Sequence, residues 1–149
     1  MSSAPTAVLD LLQSLHEAEQ ESVFRLMGEE MPPINPVPPR VHELLRQLYG
    51  VNRRHVVELA ATIRRLGATP MAKPPAEQSS DESYLRFLSP RFLLPKLARE
   101  KDLMIERYQN ALHALPKGSP DDLAKLLRTQ LAEQVANVEE LQAAAEKAA

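Results

Sequence analysis

Residues 39–67 read PRVHELLRQLYGVNRRHVVELAATIRRLG. Val41, Leu44, Leu45, Leu48, Leu59, Ile63 and Leu66 recur there at three- and four-residue steps, which is the period of one helix face. A helix this long with a single apolar stripe has to bury that stripe against other helices. Asn52 and His55 fall in the same stripe, three residues apart, so both side chains leave one face. Buried polar groups need hydrogen-bond partners. The expected fold is therefore a helical bundle whose core holds a polar layer.

The remaining chain supplies three more helices. In the first, over about 5–27, Val8, Leu11, Leu12, Leu15, Ala18, Val23 and Leu26 form the stripe, with Glu19 and Ser22 within or beside it. Five prolines from Pro32 to Pro39 then break the helix. Pro39 suits the first turn of the next helix, about 40–66, where a missing N–H costs nothing. Gly50 inside that helix implies either a close backbone approach or a bend. Gly67 and Pro70 mark its end.

The third helix is predicted over about 95–115, because Pro95 disfavours an unbroken helix from Pro90. Leu94, Leu97, Met104, Tyr108, Ala111, Leu112 and Leu115 share its face, with Glu100 among them. PKGSPDD then marks a new start, with Ser119 as a cap, Pro120 in the first turn, and Asp121 and Asp122 complementing the dipole. The fourth helix, about 120–146, turns Leu123, Leu126, Leu127, Leu131, Val138 and Leu141 inward, with Gln130, Gln134 and Asn137 at or near that face.

The crossover, about 67–94, is rich in Pro, Ser and acid. The second helix is about 40 Å long, and some twenty extended residues span about 66 Å. The crossover can thus return along the bundle and set the third helix parallel to the second. The result is an all-α, single-domain four-helix bundle over 1–149, two hairpins joined by a long crossover.

Composition agrees. Aromatic residues are only 4% and there is no Trp, so Leu, Val and Ala fill the core. A net charge of −2 gives no electrostatic case for nucleic acid or an anionic membrane. The absence of Cys rules out disulfides, thiolate metal sites and Cys nucleophiles. MSSAPTAVLD has neither the basic nor the apolar region of a signal peptide, and no run reaches about 18 apolar residues. The expected location is the cytoplasm.

NRRHVVELAATIRRLGATP resembles the end of the second helix of ferritin-like proteins, where Glu-x-x-His precedes an apolar stretch, a Leu-Gly turn and a Pro. LPKLAREKDLMIERYQNALHALP followed by LLRTQLAEQVANVEEL is similar to the second half of uncharacterised bacterial ferritin-like bundles. The resemblance implies a di-iron site with one Glu from each of two helices and Glu-x-x-His from the other two. By position, Glu19 and Glu100 would be the lone carboxylates and His55 the imidazole of the second helix. Asn52 stands where that helix's Glu belongs. In the fourth helix Gln134 and Asn137 stand at the Glu and His positions, or Glu133 and Ala136 if the register shifts by one. Neutral amides cannot balance the four positive charges of two metal ions, so the di-iron motif is degenerate. The metal candidates are Glu19, His55 and Glu100.

Two readings of His55 stand side by side: a core histidine bonded to Glu19 or Glu100, and a metal ligand. His16, one turn before Glu19, could join such a site, whereas His42 and His113 fall off the stripes. Tyr49, Tyr84 and Tyr108 read as packing residues. Arg46, Arg53, Arg54, Arg64 and Arg65 read as a solvated basic face. The leading functional expectation is a non-catalytic binding or assembly protein that self-associates or meets another protein, with no cofactor. The alternatives are an iron-binding redox protein with a reduced site, and a structural subunit of a larger complex.

Overall fold

The computed structural model describes residues 6–25, 37–71 and 88–148, Arg25 by its backbone alone. Among the described residues there are four long helices and one short one: α1 Thr6–Gln20, α2 Val23–Arg25, α3 Pro39–Arg65, α4 Pro90–Ala114 and α5 Asp121–Ala148. Among the described residues no strand occurs, and no helix is long and apolar enough to cross a membrane. Most of the predicted crossover (72–87), most of the proline-rich loop (26–36) and the predicted end of the first helix lie outside the described residues.

Local chemistry sets the helix ends. Pro39 opens α3, and the Pro38 carbonyl accepts from Val41 and His42 N–H at 2.9 and 3.0 Å. At the other end Gly67, at φ +91°, donates to Arg64 O, and Ala68 donates to Ile63 O at 3.1 Å. This paired closure needs a left-handed residue after the helix, which is why glycine stands there. Gly50 is exposed, and a Cβ built there meets nothing within 4 Å. The expected close approach is therefore not found.

Two predicted boundaries are corrected. α1 stops at Gln20, because the Ser22 hydroxyl accepts from Phe24 N–H at 3.2 Å and restarts the chain as α2. This turn swings Val23 and Phe24 into the core. α4 starts at Pro90 and carries Pro95 inside it. An interior proline costs about 3 kcal/mol. Its turn buries Leu93 and Leu94 completely, a gain of about 1.5–3 kcal/mol each. Burial outweighs the lost hydrogen bond, so the five residues assigned to the crossover become helix. Ser119 does not cap α5; its hydroxyl donates back to Pro116 O at 2.6 Å.

The apolar core falls into two clusters. One joins α2, the N-terminal halves of α3 and α4, and the C-terminal half of α5, through Phe24, Leu48, Leu97 and Leu141. The other joins α1, the C-terminal halves of α3 and α4, and the N-terminal half of α5, through Leu12, Leu59, Tyr108 and Leu127. α3 and α4 therefore run parallel, with α1 and α5 opposed to both. α1 packs chiefly on α3, and α4 on α5. Two hairpins with parallel middle helices require a crossover of the kind the sequence implies. Its start is turned back along α1, where Gln13 donates to Thr69 O at 2.9 Å and accepts from Met71 N–H at 3.2 Å.

Candidate polar core site

Between the two apolar clusters lies a layer of buried polar side chains: Glu19 from α1, Asn52 and His55 from α3, Lys101 and Tyr108 from α4, and Gln130, Gln134 and Asn137 from α5. Each occupies an inward position of a helix whose other inward positions are mainly apolar. The apolar stripes thus fix the orientation of the helices, and the layer is formed where four of them are interrupted at one height.

Glu19 is its centre. The Oε2 atom accepts from Tyr108 Oη at 2.7 Å, Gln134 Nε2 at 2.8 Å and His55 Nδ1 at 3.0 Å. The Oε1 atom accepts from Asn52 Nδ2 at 2.8 Å, which also reaches the Glu19 carbonyl at 3.0 Å. Burial alone would push the Glu19 carboxyl up. The His55 hydrogen bond and charge, the Lys101 charge and the Tyr108 hydrogen bond outweigh it and hold the carboxyl below its ordinary range. The Tyr108 hydroxyl is driven the other way, by burial and by the Glu19 charge. It also faces Gln130 Oε1 at 3.0 Å, and Gln130 Nε2 donates to Glu58 at 3.0 Å.

Lys101 brings a positive charge into the layer. It is 1% exposed, and its Nζ donates to Gln134 Oε1 at 2.6 Å. An ammonium only donates, so this contact fixes which end of the Gln134 amide faces Glu19. The ammonium also lies 4.6 Å from the centroid of the Phe24 ring. Burial lowers the Lys101 pKa to about 8, although the Glu19 charge pulls it back up.

His55 joins the layer to the surface. Its Nε2 lies 2.9 Å from Glu133 Oε1 while Nδ1 holds Glu19. Each ring nitrogen thus lies within hydrogen-bond distance of a carboxylate oxygen. Glu133 is 29% exposed and is forked by Arg54, whose Nη1 donates to Oε1 at 3.2 Å. Burial raises the Glu133 carboxyl, but the Arg54 and His55 hydrogen bonds bring it below its ordinary value.

Glu19 and His55 are thus brought together, and Asn52 and Gln134 stand beside them. Glu100 does not join them. It is exposed, and the inward position of α4 belongs to Lys101. Leu94, Leu97, Lys101, Met104, Tyr108 and Ala111 alternate in steps of three and four, and that count places Lys101, not Glu100, in the stripe. Tyr108 is more than a packing residue, since its hydroxyl holds Glu19. Glu133 and Gln134 both contribute, at the rim and at the centre respectively. His16 is buried but turns to Gln20 Nε2 at 3.1 Å, and burial together with Arg64 lowers its pKa. His42 and His113 are exposed.

The arrangement does not fit a di-iron centre. Glu19 and Glu133 occupy opposite nitrogens of one imidazole, so the three groups do not converge on a common point. Among the described residues no three His, Asp or Glu side chains lie where they could hold a metal ion together. An ammonium in the same layer opposes a second cation there.

Asn52 Oδ1 and Asn137 Nδ2 are buried without a hydrogen-bond partner. Gln134 Nε2 lies 3.1 Å from His55 Nδ1. On antiparallel helices, three residues back on α3 and three forward on α5 then set Asn52 and Asn137 at one height.

A family model described as a ferritin-like domain matches residues 35–149. Comparison with curated proteins and with solved structures gives no match. The matched range covers α3, α4 and α5, so Glu19 on α1 lies outside it. By that match the chain belongs to the ferritin-like family.

Proposed function

We propose that this ferritin-like bundle is a cytoplasmic, non-catalytic binding or assembly protein, and that a hydrogen-bonded layer stands in its core where relatives with a complete motif hold metal. The observation that carries this reading is the Lys101 ammonium, hydrogen-bonded to Gln134 and electrostatically coupled to Glu19. Two divalent ions bring four positive charges, and the layer and its rim offer them three carboxylates, Glu19, Glu58 and Glu133. Lys101, His55 and Arg54 already face those carboxylates. The charge is met by side chains alone.

A satisfied polar layer has a structural use. Sliding one helix past another would separate Glu19 from Tyr108, His55 and Gln134, which come from three other helices. The layer therefore holds the helices in one register, at some expense in raw stability. With the interior given to register, binding falls to the outside. Val57, Phe92, Leu103 and Val135 are large apolar side chains left exposed there, and they are suited to contact with another copy or another protein.

The test is to incubate the chain anaerobically with ferrous iron, desalt it and measure metal per chain by mass spectrometry. Oxygen uptake and sedimentation equilibrium follow on the same sample. The expected result is well under one metal per chain, no oxygen uptake, and association that iron leaves unchanged. One or two irons per chain that disappear in a folded His55→Ala variant would overturn the reading.

A further inference from the structure

One end of the bundle carries a groove of about 450 Å³ between the first turns of α3, the start of α4 and the last turns of α5. Its surface is mostly apolar, with Val41, Leu44, Pro90, Ala143 and Ala144 in the lining. Val41 and Leu44 belong to the apolar cluster beneath, and Ala144 packs on it, so the groove opens directly onto the core. Charged residues stand along it in a fixed order. Arg40 is in the first turn of α3 and Lys147 in the last turn of α5. These helices are antiparallel, so both cations mark one end of the groove. Glu43 lies almost one turn, and Glu140 two turns, nearer the middle of the bundle. All four side chains are exposed, and none of them forms an ion pair among the described residues.

We propose that this groove receives the same segment of a second copy of the chain, with the two α5 helices antiparallel about a two-fold axis. Glu140 and Lys147 are seven residues apart, so they share one face of α5 about 10.5 Å from each other. The axis passes between Ala143 and Ala144, midway between the two charges. The second copy then sets its Glu140 at the cationic end, over Lys147 and Arg40. Its Lys147 falls at the anionic end, over Glu140 and Glu43. The two-fold repeats both contacts, so one surface is its own complement and the assembly closes as a dimer.

Charge also decides the direction. Parallel α5 helices in register would set Lys147 against Lys147 and Glu140 against Glu140, and both contacts repel. At the crossing, Ala143 and Ala144 have no long side chain to hold the helices apart. The charges fix orientation and register, and the apolar floor supplies the attraction. The inference rests on the reading of the chain as an assembly protein and names the face and the partner.

The test is sedimentation equilibrium of the full chain, where a reversible monomer–dimer equilibrium is expected. Glu140→Lys and Lys147→Glu should each weaken the dimer about tenfold, because the two-fold counts every lost pair twice. The two changes together should recover part of the loss. The chain has no cysteine, so Ala143→Cys reports on the crossing. It should oxidise to a disulfide-linked dimer about tenfold faster than Ala132→Cys, at another exposed position of α5. Should these variants not fold, carbodiimide coupling of mixed light and heavy natural chains decides, with Lys147 of one copy joined to Glu140 of the other. A chain that stays monomeric at every concentration would overturn the proposal, and so would a dimer in which both cysteine variants oxidise alike. A dimer built on another face would sink this surface and leave the assembly reading standing. Metal measured on the same preparation tells failure of the non-catalytic reading from failure of this one.

Discussion

Replacing Lys101 by Met tests whether a charge is truly held inside this bundle. The two side chains are similar in length, so the change mainly removes the ammonium. At neutral pH two effects oppose each other. The variant no longer buries a charge that prefers water, but Gln134 Oε1 loses its donor, which costs about 1–3 kcal/mol. Those effects nearly cancel, so one measurement at pH 7 is a poor test, and the pH dependence is a sharp one. Lys101 releases its proton near pH 8 in the folded chain against 10.5 for an ordinary lysine. Between those values the unfolded chain binds more protons than the folded one, so folding stability rises with pH across that window. At 1.36 kcal/mol per pH unit the rise is about 3 kcal/mol, and it is absent from the variant. Urea unfolding of both proteins at pH 7 and pH 10.5, with equal m-values, gives the difference directly. The other lysines and the tyrosines are common to both proteins and drop out of it. The natural chain should gain about 3 kcal/mol on the variant between the two pH values. A difference constant to within about 0.5 kcal/mol would mean that Lys101 titrates in water, and the account of the layer would fail.

Three further outcomes follow from the same geometry. Glu19→Gln removes the charge that His55, Tyr108 and Gln134 share and turns one of the two accepting oxygens into a donor, and it should cost about 2–4 kcal/mol in urea unfolding. Because the Glu19 carboxyl is held below its ordinary value of 4.5, its contribution is present above that pH and lost below it, so the variant should lose less on acidification. Asn52→Glu, Lys101→Glu and Gln134→Glu together replace two amides and the ammonium by carboxylates, and mass spectrometry should then find one or two ferrous ions per chain. A folded triple variant without metal would show that more than charge separates this layer from a metal centre. Gly67→Ala places a side chain at φ +91° and should lower stability by about 1 kcal/mol, while Gly50→Ala, in open space within a helix, should raise it by a similar amount.

Helical period carries most of the architecture. α3 lies within one residue of its predicted bounds because proline opens it, glycine closes it and the stripe between them is regular. The parallel relation of α3 and α4 follows from the length of the crossover alone. The departures arise where a local signal competes with burial. Ser22 ends α1 early by bonding its own backbone, and α4 absorbs Pro95 because Leu93 and Leu94 gain more than the proline loses. The site shows the same competition at closer range. His55, Asn52 and Gln134 could be read from their stripes, because a polar residue between leucines marks itself. Lys101 could have been read too, since it keeps the three-four alternation that runs from Leu94 to Ala111. Chemistry pointed to Glu100 instead, as a metal site calls for a carboxylate. The partners that allow a buried lysine, Glu19 and Gln134, sit on other helices, and spacing within α4 says nothing about them. One residue along a helix is a rotation of about 100°, set by 3.6 residues per turn. That rotation exchanges an anion for a cation at the centre of the bundle, and it decides whether the core attracts a metal ion or opposes one.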